Sequence, residues 1–332
     1  MRSRWLAVVA ALGFVACGPR RREADKDPDK VDPIKLGSAV KHVAEPAFDP
    51  SDPGSGQGWG SDPTSKAHEL ARGAYVVHAS GCLVCHTAQG PNGLDVANLG
   101  GGGNDTPDPA GTWRSPNITP DKATGIGNWT DEQIARAIRE GTRPDGTQLY
   151  SIMPYALYNR MTDRDLAAVV AYLRSLKPVS HVVAPNKNLK FPQLAVPVPP
   201  NHPDDKANAI EHGQYLASLM LCGHCHQTPG EPDHLFSGGL DLTPPGGTGK
   251  LYAPNITPDA DTGIGKWTEA QIFTTLKTMI GPDGRQILPP MLLMQSGWSQ
   301  LTDADLHAVA TYIHQVPAIK HAAPASTFKI TK

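Results

Sequence analysis

Apolar side chains recur every three or four positions in several segments of the chain, a spacing that places them on one face of an α-helix. The two most regular stripes are Leu166, Val169, Val170 and Leu173, and Leu306, Val309, Ala310 and Ile313. Shorter stripes are Ile134 and Ile138, and Ile272, Leu276 and Ile280. No segment alternates apolar and polar residues for long enough to indicate a strand. The pattern therefore predicts an all-α protein.

Threonines mark where these helices begin. A threonine followed three positions later by Gln or an acidic residue is typical of a capping box, in which each side chain bonds the other residue's backbone N–H. The pairs are Thr130 and Gln133, Thr268 and Gln271, Thr162 and Asp165, and Thr302 and Asp305. Two further helices are expected over residues 67–80 and 207–221.

The chain is an internal duplication. Residues 116–139 and 254–277 are identical at 14 of 24 positions, with an offset of 138. A period this long indicates a whole domain copied once, because solenoid repeats are only about 20–50 residues long. We therefore expect two domains of the same fold, over residues 66–180 and 206–317.

Each copy carries one C-x-x-C-H sequence, the attachment motif of c-type haem. Two thiols one helical turn apart can meet the two vinyl groups of one porphyrin, and the next imidazole then lies under the iron. We expect two covalently bound haem c groups. The predicted attachment residues are Cys82, Cys85, Cys222 and Cys225, and the predicted proximal ligands are His86 and His226.

Other uses of paired cysteines fit less well. A thioredoxin-like redox pair is one C-x-x-C near a βαβ pattern, which this sequence lacks. A zinc ribbon pairs its cysteine units roughly 15–20 residues apart, whereas 136 residues separate Cys85 from Cys222. Neither use explains a histidine directly after both pairs.

The sixth iron ligand decides the chemistry, because iron held by His and Met has a raised potential and transfers electrons. The repeat places Met153 opposite Met291, each in an apolar loop, so we predict these two as the sixth ligands. The alternatives are Met161, whose counterpart is Leu301, and Met294, which lies three residues beyond Met291.

Five residues are predicted to support the haem. Pro116 and Pro254 could each accept a hydrogen bond from a proximal imidazole and fix its tautomer, or form plain loop turns. Trp129 and Trp267 could bond a propionate through the indole N–H, or simply cover haem or core. Arg114 could pair with a propionate. The remaining histidines, such as His224, are expected at the surface, and Met220 and Met279 in the core.

The amino terminus has the pattern of an export signal. Arg2 and Arg4 precede an apolar run that is shorter than the ~20 residues needed to span a bilayer. The run ends in Phe14-Val15-Ala16-Cys17, which resembles a bacterial lipobox. We expect a lipoprotein signal peptide over residues 1–16 and a lipid on Cys17, with ordinary signal cleavage as the alternative. The mature protein would then be periplasmic and held at a membrane by its lipid.

Composition and charge describe the rest of the chain. Residues 17–65 are predicted to be a disordered tether, 181–205 a Pro-rich linker between the domains, and 318–332 a polar tail. The net charge is −2. Without the two arginines of the signal it is −4, and no basic stripe is present, so nucleic-acid binding is not expected.

With these residues in view, the chain resembles a dihaem class I cytochrome c. Its Pro-Asn-Ile-Thr-Pro, Thr-Gly-Ile-Gly-x-Trp and Leu/Met-Thr-Asp-x-Asp-Leu sequences are similar to those in cytochrome subunits of membrane-bound bacterial alcohol and gluconate dehydrogenases. The resemblance implies two tandem class I domains with long haem loops. It also implies that Gly73 contacts the Tyr172 helix and that Gly213 contacts the Tyr312 helix. Subunits of the dehydrogenase type commonly carry three haems, whereas this chain has two motifs.

We therefore expect an exported electron-transfer protein rather than an enzyme. It would carry single electrons from a periplasmic donor, such as a dehydrogenase or a quinol-oxidising protein, to an acceptor cytochrome or terminal oxidase. The first alternative is a dihaem enzyme with one open iron, similar to a peroxidase or a thiosulfate dehydrogenase. The second is a haem-based sensor whose sixth ligand exchanges.

Overall fold

A computed structural model of the chain describes most of both predicted domains. The described residues are 64–90, 93–106, 111–187, 189–190, 193, 208–231, 233–243 and 247–330. The predicted signal peptide, Cys17, residues 17–63 of the predicted tether and residues 194–205 of the predicted linker lie outside them.

The described part of each domain contains five helices in the same order. In the first domain these are α1 (Lys66–Ala79), α2 (Cys82–Cys85), α3 (Asp131–Glu140), α4 (Tyr155–Tyr158) and α5 (Asp163–Ser175). In the second they are α6 (Ala209–Leu219), α7 (Cys222–Cys225), α8 (Glu269–Thr278), α9 (Gln295–Trp298) and α10 (Asp303–Gln315). The all-α prediction and the tandem arrangement are confirmed.

Short elements connect these helices. The 3-10 turns are Val96–Asn98 and Met291–Met294. Antiparallel pairs of two-residue strands join β1 (Gln89–Gly90) to β2 (Gly93–Leu94), β3 (Asp105–Thr106) to β4 (Trp113–Arg114), and β5 (Gly247–Thr248) to β6 (Lys329–Ile330). These strand pairs hold the long loops in place but do not form a larger sheet.

The first and last helices of each domain cross at a glycine. A Cβ placed on Gly73 of α1 would overlap the backbone of Ala168 on α5 and lie 2.7 Å from Tyr172 Cβ. A Cβ on Gly213 of α6 would meet Ala308 and Tyr312 of α10 in the same way. The crossing implied by the family resemblance is therefore present in both domains.

The predicted helix starts are correct, but two of the four predicted capping boxes are incomplete, at Thr162 of α5 and in the same way at Thr302 of α10. Complete capping boxes begin α3 at Thr130 and α8 at Thr268. At α5 the Thr162 hydroxyl accepts the Asp165 backbone N–H at 3.1 Å, but the Asp165 carboxylate turns away to partners on other helices. Only the threonine half of the predicted box is present there.

The core follows the predicted stripes except at a few positions. Ile280 is 43% exposed, because α8 ends at Thr278 and the chain turns through a left-handed residue at Met279. His68 and His212 are buried, so the expectation that the remaining histidines lie at the surface is wrong for them. The core also contains fully buried methionines, namely Met161, Met220 and Met279.

Each domain continues into a segment that packs back onto it. The carbonyl oxygens of Val179 and Ile319 accept hydrogen bonds from buried asparagines, at 2.7 and 2.8 Å. Within the predicted linker, His181 Nδ1 lies 2.8 Å from the Gly101 carbonyl oxygen and Leu189 is buried. Within the predicted polar tail, Phe328 is buried. The described parts of both segments therefore belong structurally to the domains that they follow.

The two domains pack against each other through their long helices. The Tyr75 hydroxyl of α1 donates to the Asp305 carboxylate of α10, and the Tyr215 hydroxyl of α6 donates to the Asp165 carboxylate of α5 at 2.7 Å. Each contact is the other shifted by one repeat. The interface therefore has the reciprocal pattern of a twofold axis.

The two carboxylates of this interface have different cationic partners. Arg72 donates two hydrogen bonds to Asp165, from Nε at 2.6 Å and from Nη2 at 2.8 Å. At the equivalent place, His212 Nε2 lies 2.6 Å from Asp305 Oδ1. All four side chains are buried. One side of the interface thus holds an arginine–carboxylate pair, whereas the other holds a histidine–carboxylate pair.

None of the described helices is both long enough and apolar enough to cross a bilayer.

Candidate haem sites

The cysteine pairs each occupy a single turn of helix after a sharp bend. Gly81 before α2 and Leu221 before α7 both have left-handed backbone angles, with φ of 64° and 62°. The bend separates the turn from the long helix before it and aims the turn into the haem loop. Glycine adopts this angle at little cost, whereas a leucine there is strained.

The proximal histidines are held by the predicted prolines. His86 Nδ1 lies 2.8 Å from the Pro116 carbonyl oxygen, and His226 Nδ1 lies 2.8 Å from the Pro254 carbonyl oxygen. A carbonyl can only accept, so in each case the imidazole donates its Nδ1–H. The lone pair is then on Nε2, the atom that would bind iron.

Burial keeps these imidazoles neutral. It lowers the pKa of His86 and of His226, although the hydrogen bonds to the proline carbonyls act in the opposite direction. A neutral imidazole is the form that ligates a metal. The geometry of both sites therefore suits iron coordination through Nε2.

Before haem is attached, the cysteines are thiols rather than thiolates at neutral pH. Burial raises the pKa of Cys82 and of Cys222 to about 12, and neither takes part in a disulfide. Reactive redox pairs have a lowered thiol pKa instead. The donor set fits haem c, since a thioether forms when S–H adds across a vinyl group, with sulfur bonding one carbon and hydrogen the other.

The electrostatics of the second attachment turn depend on both domains. Burial first, and then the charge of Cys85 in the other domain, raise the pKa of Cys225 to about 11.

The predicted methionine ligands lie in matching loops. Met153 is in the turn before α4 and Met291 begins the 3-10 turn before α9, and both are half-buried against the core. Of the two alternative ligands, Met161 is buried, with 1% of its surface exposed. The other, Met294, packs on Gly81 of the first domain.

Sequence reasoning missed a buried asparagine next to each proline. Asn117 Oδ1 accepts from the backbone N–H and the hydroxyl of Thr119, at 2.9 and 2.7 Å, while its Nδ2 donates to the Val179 carbonyl oxygen. Asn255 makes the same set of bonds in the second domain. The identical Pro-Asn-Ile-Thr sequences in both copies were the available signal.

Asn117→Ala is expected to destabilise the first domain by about 2 kcal/mol, because it removes the partner of the buried Thr119 N–H and the shorter of the two hydrogen bonds to the Val179 carbonyl. The Pro116 carbonyl would also lose its fixed position, so the potential of that haem should shift. Guanidinium unfolding and a redox titration would measure both effects. Asn128→Ala in the same loop removes one exposed bond to the Lys122 carbonyl and should cost under ~0.5 kcal/mol. Equal losses in the two variants would contradict the assignment.

The remaining predicted site residues occupy mixed positions. Trp129 and Trp267 are half-buried against the core. Arg114 Nε forms an ion pair with Asp105 Oδ2 at 2.8 Å, across the β3–β4 pair. The contacts of all three with haem propionates stay predictions.

Comparison with known proteins decides the family. The sequence profile of the Cytochrome c family matches twice, over residues 70–177 and 210–317. The chain belongs to the cytochrome c family. Its two matched segments correspond to the two domains, and each holds one attachment motif. This cytochrome therefore binds two haem c groups covalently.

Several characterised relatives have similar sequences. The fructose dehydrogenase cytochrome subunit of Gluconobacter japonicus is 36% identical over 282 residues, covering 78% of this chain and 55% of that protein. The cytochrome c subunit of the quinone-dependent alcohol dehydrogenase of Gluconacetobacter polyoxogenes is 32% identical over 301 residues, covering 77% and 58%. A diheme c-type cytochrome of Cereibacter sphaeroides is 33% identical over 270 residues, covering 76% and 87%. The chain thus spans little more than half the length of the dehydrogenase subunits.

Proposed function

We propose that this dihaem cytochrome carries single electrons through two iron centres that are each ligated by one histidine and one methionine. The observation that carries the proposal is the matched placement of His86 with Met153 and of His226 with Met291. In each domain the imidazole has its Nδ1 occupied by a proline carbonyl, and the methionine is half-buried in an apolar loop. Haem supplies the one-electron couple, and the protein holds its iron closed to small molecules.

The donor that we propose is a dehydrogenase. Relatives of this chain are cytochrome subunits of fructose, alcohol and gluconate dehydrogenases. The acceptor would be a further cytochrome or a terminal oxidase.

We further propose that the protein works outside the cytoplasm, attached to a membrane by a lipid on Cys17. The support comes from the basic residues, the short apolar run and the lipobox-like sequence at the amino terminus. A periplasmic position would place both haem domains next to exported or membrane-bound dehydrogenases.

Replacing the proposed ligands tests this function. Met153→Ala and Met291→Ala should each remove about half of the weak far-red absorption of Met-bound ferric haem, lower one of the two potentials, and open one iron to carbon monoxide. Met161→Ala, which changes a buried core residue, should retain the full band. Prompt carbon monoxide binding or peroxide turnover by the unchanged protein would contradict the proposal and favour a dihaem enzyme. Ligand exchange on reduction would favour a sensor.

A further inference from the structure

The twofold pattern of the domain interface breaks near the first haem site. Around the axis, Tyr75 and Tyr215 make equivalent hydrogen bonds. Farther out, the second copy has two extra residues between its proposed ligand Met291 and Leu301. That longer segment forms the 3-10 turn Met291–Met294 and α9. On one side of the interface α9 contacts α1 and on the other α4 contacts α6, but the segment that includes α9 is two residues longer.

The longer segment reaches the haem attachment turn of the first domain. A Cβ on Gly81 would lie 3.0 Å from Met294 Sδ and still closer to Met294 Cε. Gly81 directly precedes Cys82, the first predicted attachment cysteine. The counterpart of Gly81 in the second copy is Leu221, which carries a side chain where Gly81 has none. The thioether of Met294 packs at this glycine, and such a side chain adapts well to irregular gaps.

A second contact lies beside this one. Trp298 of α9 donates its indole N–H to the Ala79 carbonyl oxygen at 3.1 Å, and Gly297 lets α9 approach the backbone of His78. Trp298 is buried at 3% exposure. The counterpart of Trp298 is Tyr158, which bonds the Ser80 carbonyl oxygen of its own domain at 2.7 Å.

The carboxyl end of α1 is therefore held from both domains. The last carbonyls of a helix lack helical partners, so side chains that donate to them fix the helix end. Here those donors are Tyr158 and Trp298, and the bend at Gly81 follows at once. The position of the first attachment turn thus depends on the second domain.

We propose that Met294 is a positioning residue that seats the ligand loop of the second domain against the haem attachment turn of the first. The segment 291–298 would then be the direct link between the two redox centres. Electron tunnelling weakens steeply with distance and across packing gaps, so a fixed contact at this point favours rapid exchange between the domains. One domain loses an electron and the other gains it, with no bond or proton exchanged. The inference rests on the proposed function, since it takes Met291 as a ligand.

The test uses the full haem-loaded protein and three variants. Met294→Ala removes the seated side chain, Met294→Leu restores most of its volume, and Leu293→Ala changes an exposed neighbour on the same turn. After rapid reduction with a photoactivated donor, the rate of electron exchange between the haems should fall several-fold in Met294→Ala alone. Hydrogen exchange at residues 79–82 should rise about tenfold in the same variant. Both potentials and the far-red band should stay unchanged, which a ligand role or general unfolding would not allow.

Two results would overturn the inference. An exchange rate in Met294→Ala equal to that of Leu293→Ala would show that the contact does not link the centres. Loss of the far-red band in Met294→Ala would make Met294 itself a ligand. Failure of the proposed function is distinguishable, because the band would then survive in both Met153→Ala and Met291→Ala.

Discussion

Asp165→Asn should destabilise the protein by about 3–5 kcal/mol, the usual cost of removing one partner from a buried ion pair. The amide still fits the site and can still bond the Tyr215 hydroxyl, so the change isolates the charge. Burial lowers the pKa of the Arg72 guanidinium, but Asp165 outweighs it and holds the pKa well above the ordinary value. Arg72 cannot shed its proton, so the variant leaves its buried charge without the Asp165 carboxylate.

The equivalent variant in the second domain should cost less. In Asp305→Asn the partner is the His212 imidazole, whose ring nitrogen can still form a hydrogen bond with the new amide. We expect a loss of about 1–2 kcal/mol, the value of a hydrogen bond between largely satisfied groups. Asp303→Asn, on an exposed part of α10, should cost under ~1 kcal/mol. The midpoints of guanidinium unfolding, measured on the three haem-loaded variants, give the order of their losses in stability. Equal losses of stability in Asp165→Asn and Asp305→Asn would contradict the argument.

The Asp305 carboxylate should make the stability of the unchanged protein depend on pH. Burial by itself raises its pKa, but hydrogen bonds and charge from His212, together with the Tyr75 hydroxyl, lower the pKa below the usual value. A carboxylate with a lowered pKa stabilises the fold above its ordinary pKa of about 4, and this contribution is lost as the pH falls through the folded value. The domain interface should therefore weaken in acid, below about pH 4.

Gly73→Ala and Gly213→Ala should each cost about 3 kcal/mol or more. In an open helix this change is favourable by about 1 kcal/mol, because alanine has the higher helix propensity. Here the new Cβ would overlap the backbone of Ala168 or of Ala308, which cannot rotate aside as a side chain can. The helices must separate, and overpacking of this kind is destabilising.

The Gly73→Ala change should also affect haem attachment in the first domain. The helix α1 leads directly into the first attachment turn, so a displaced crossing moves Cys82 relative to the rest of the loop. We expect Gly73→Ala to lower the haem content of the first domain as well as the unfolding midpoint, and pyridine haemochrome assays would measure the haem per chain. Gly146→Ala is a matched control, because nothing lies within 4 Å of its added Cβ and only its positive φ is strained. Full haem content in Gly73→Ala would mean that the crossing tolerates a side chain.

Much of the local chemistry could be predicted from the sequence because it depends on neighbours along the chain. The cysteine and histidine spacing, the threonine starts of α3 and α8, and the buried stripe of α5 are all short-range patterns with one structural solution. The hydrogen bonds from His86 to Pro116 and from His226 to Pro254 were also predicted, since the repeat marked both prolines. The exposure of Ile280 was not, because the periodic spacing continues past the residue where the helix ends.

The arrangement of the domains was decided by tertiary structure. The sequence marks Asp165 and Asp305 as capping residues, yet their carboxylates bond tyrosines of the opposite domain, 50 and 230 residues away along the chain, respectively. No local pattern encodes partners at that separation. The contact of Met294 is a further example. The sequence marks this residue only as an alternative iron ligand, whereas the fold places its side chain against Gly81.

The sequence by itself determined two haem c domains and their covalent attachment, because binding haem needs residues adjacent in the chain. Only the packing of one copy on the other decided how the two sites meet, because that depends on surfaces assembled from distant segments.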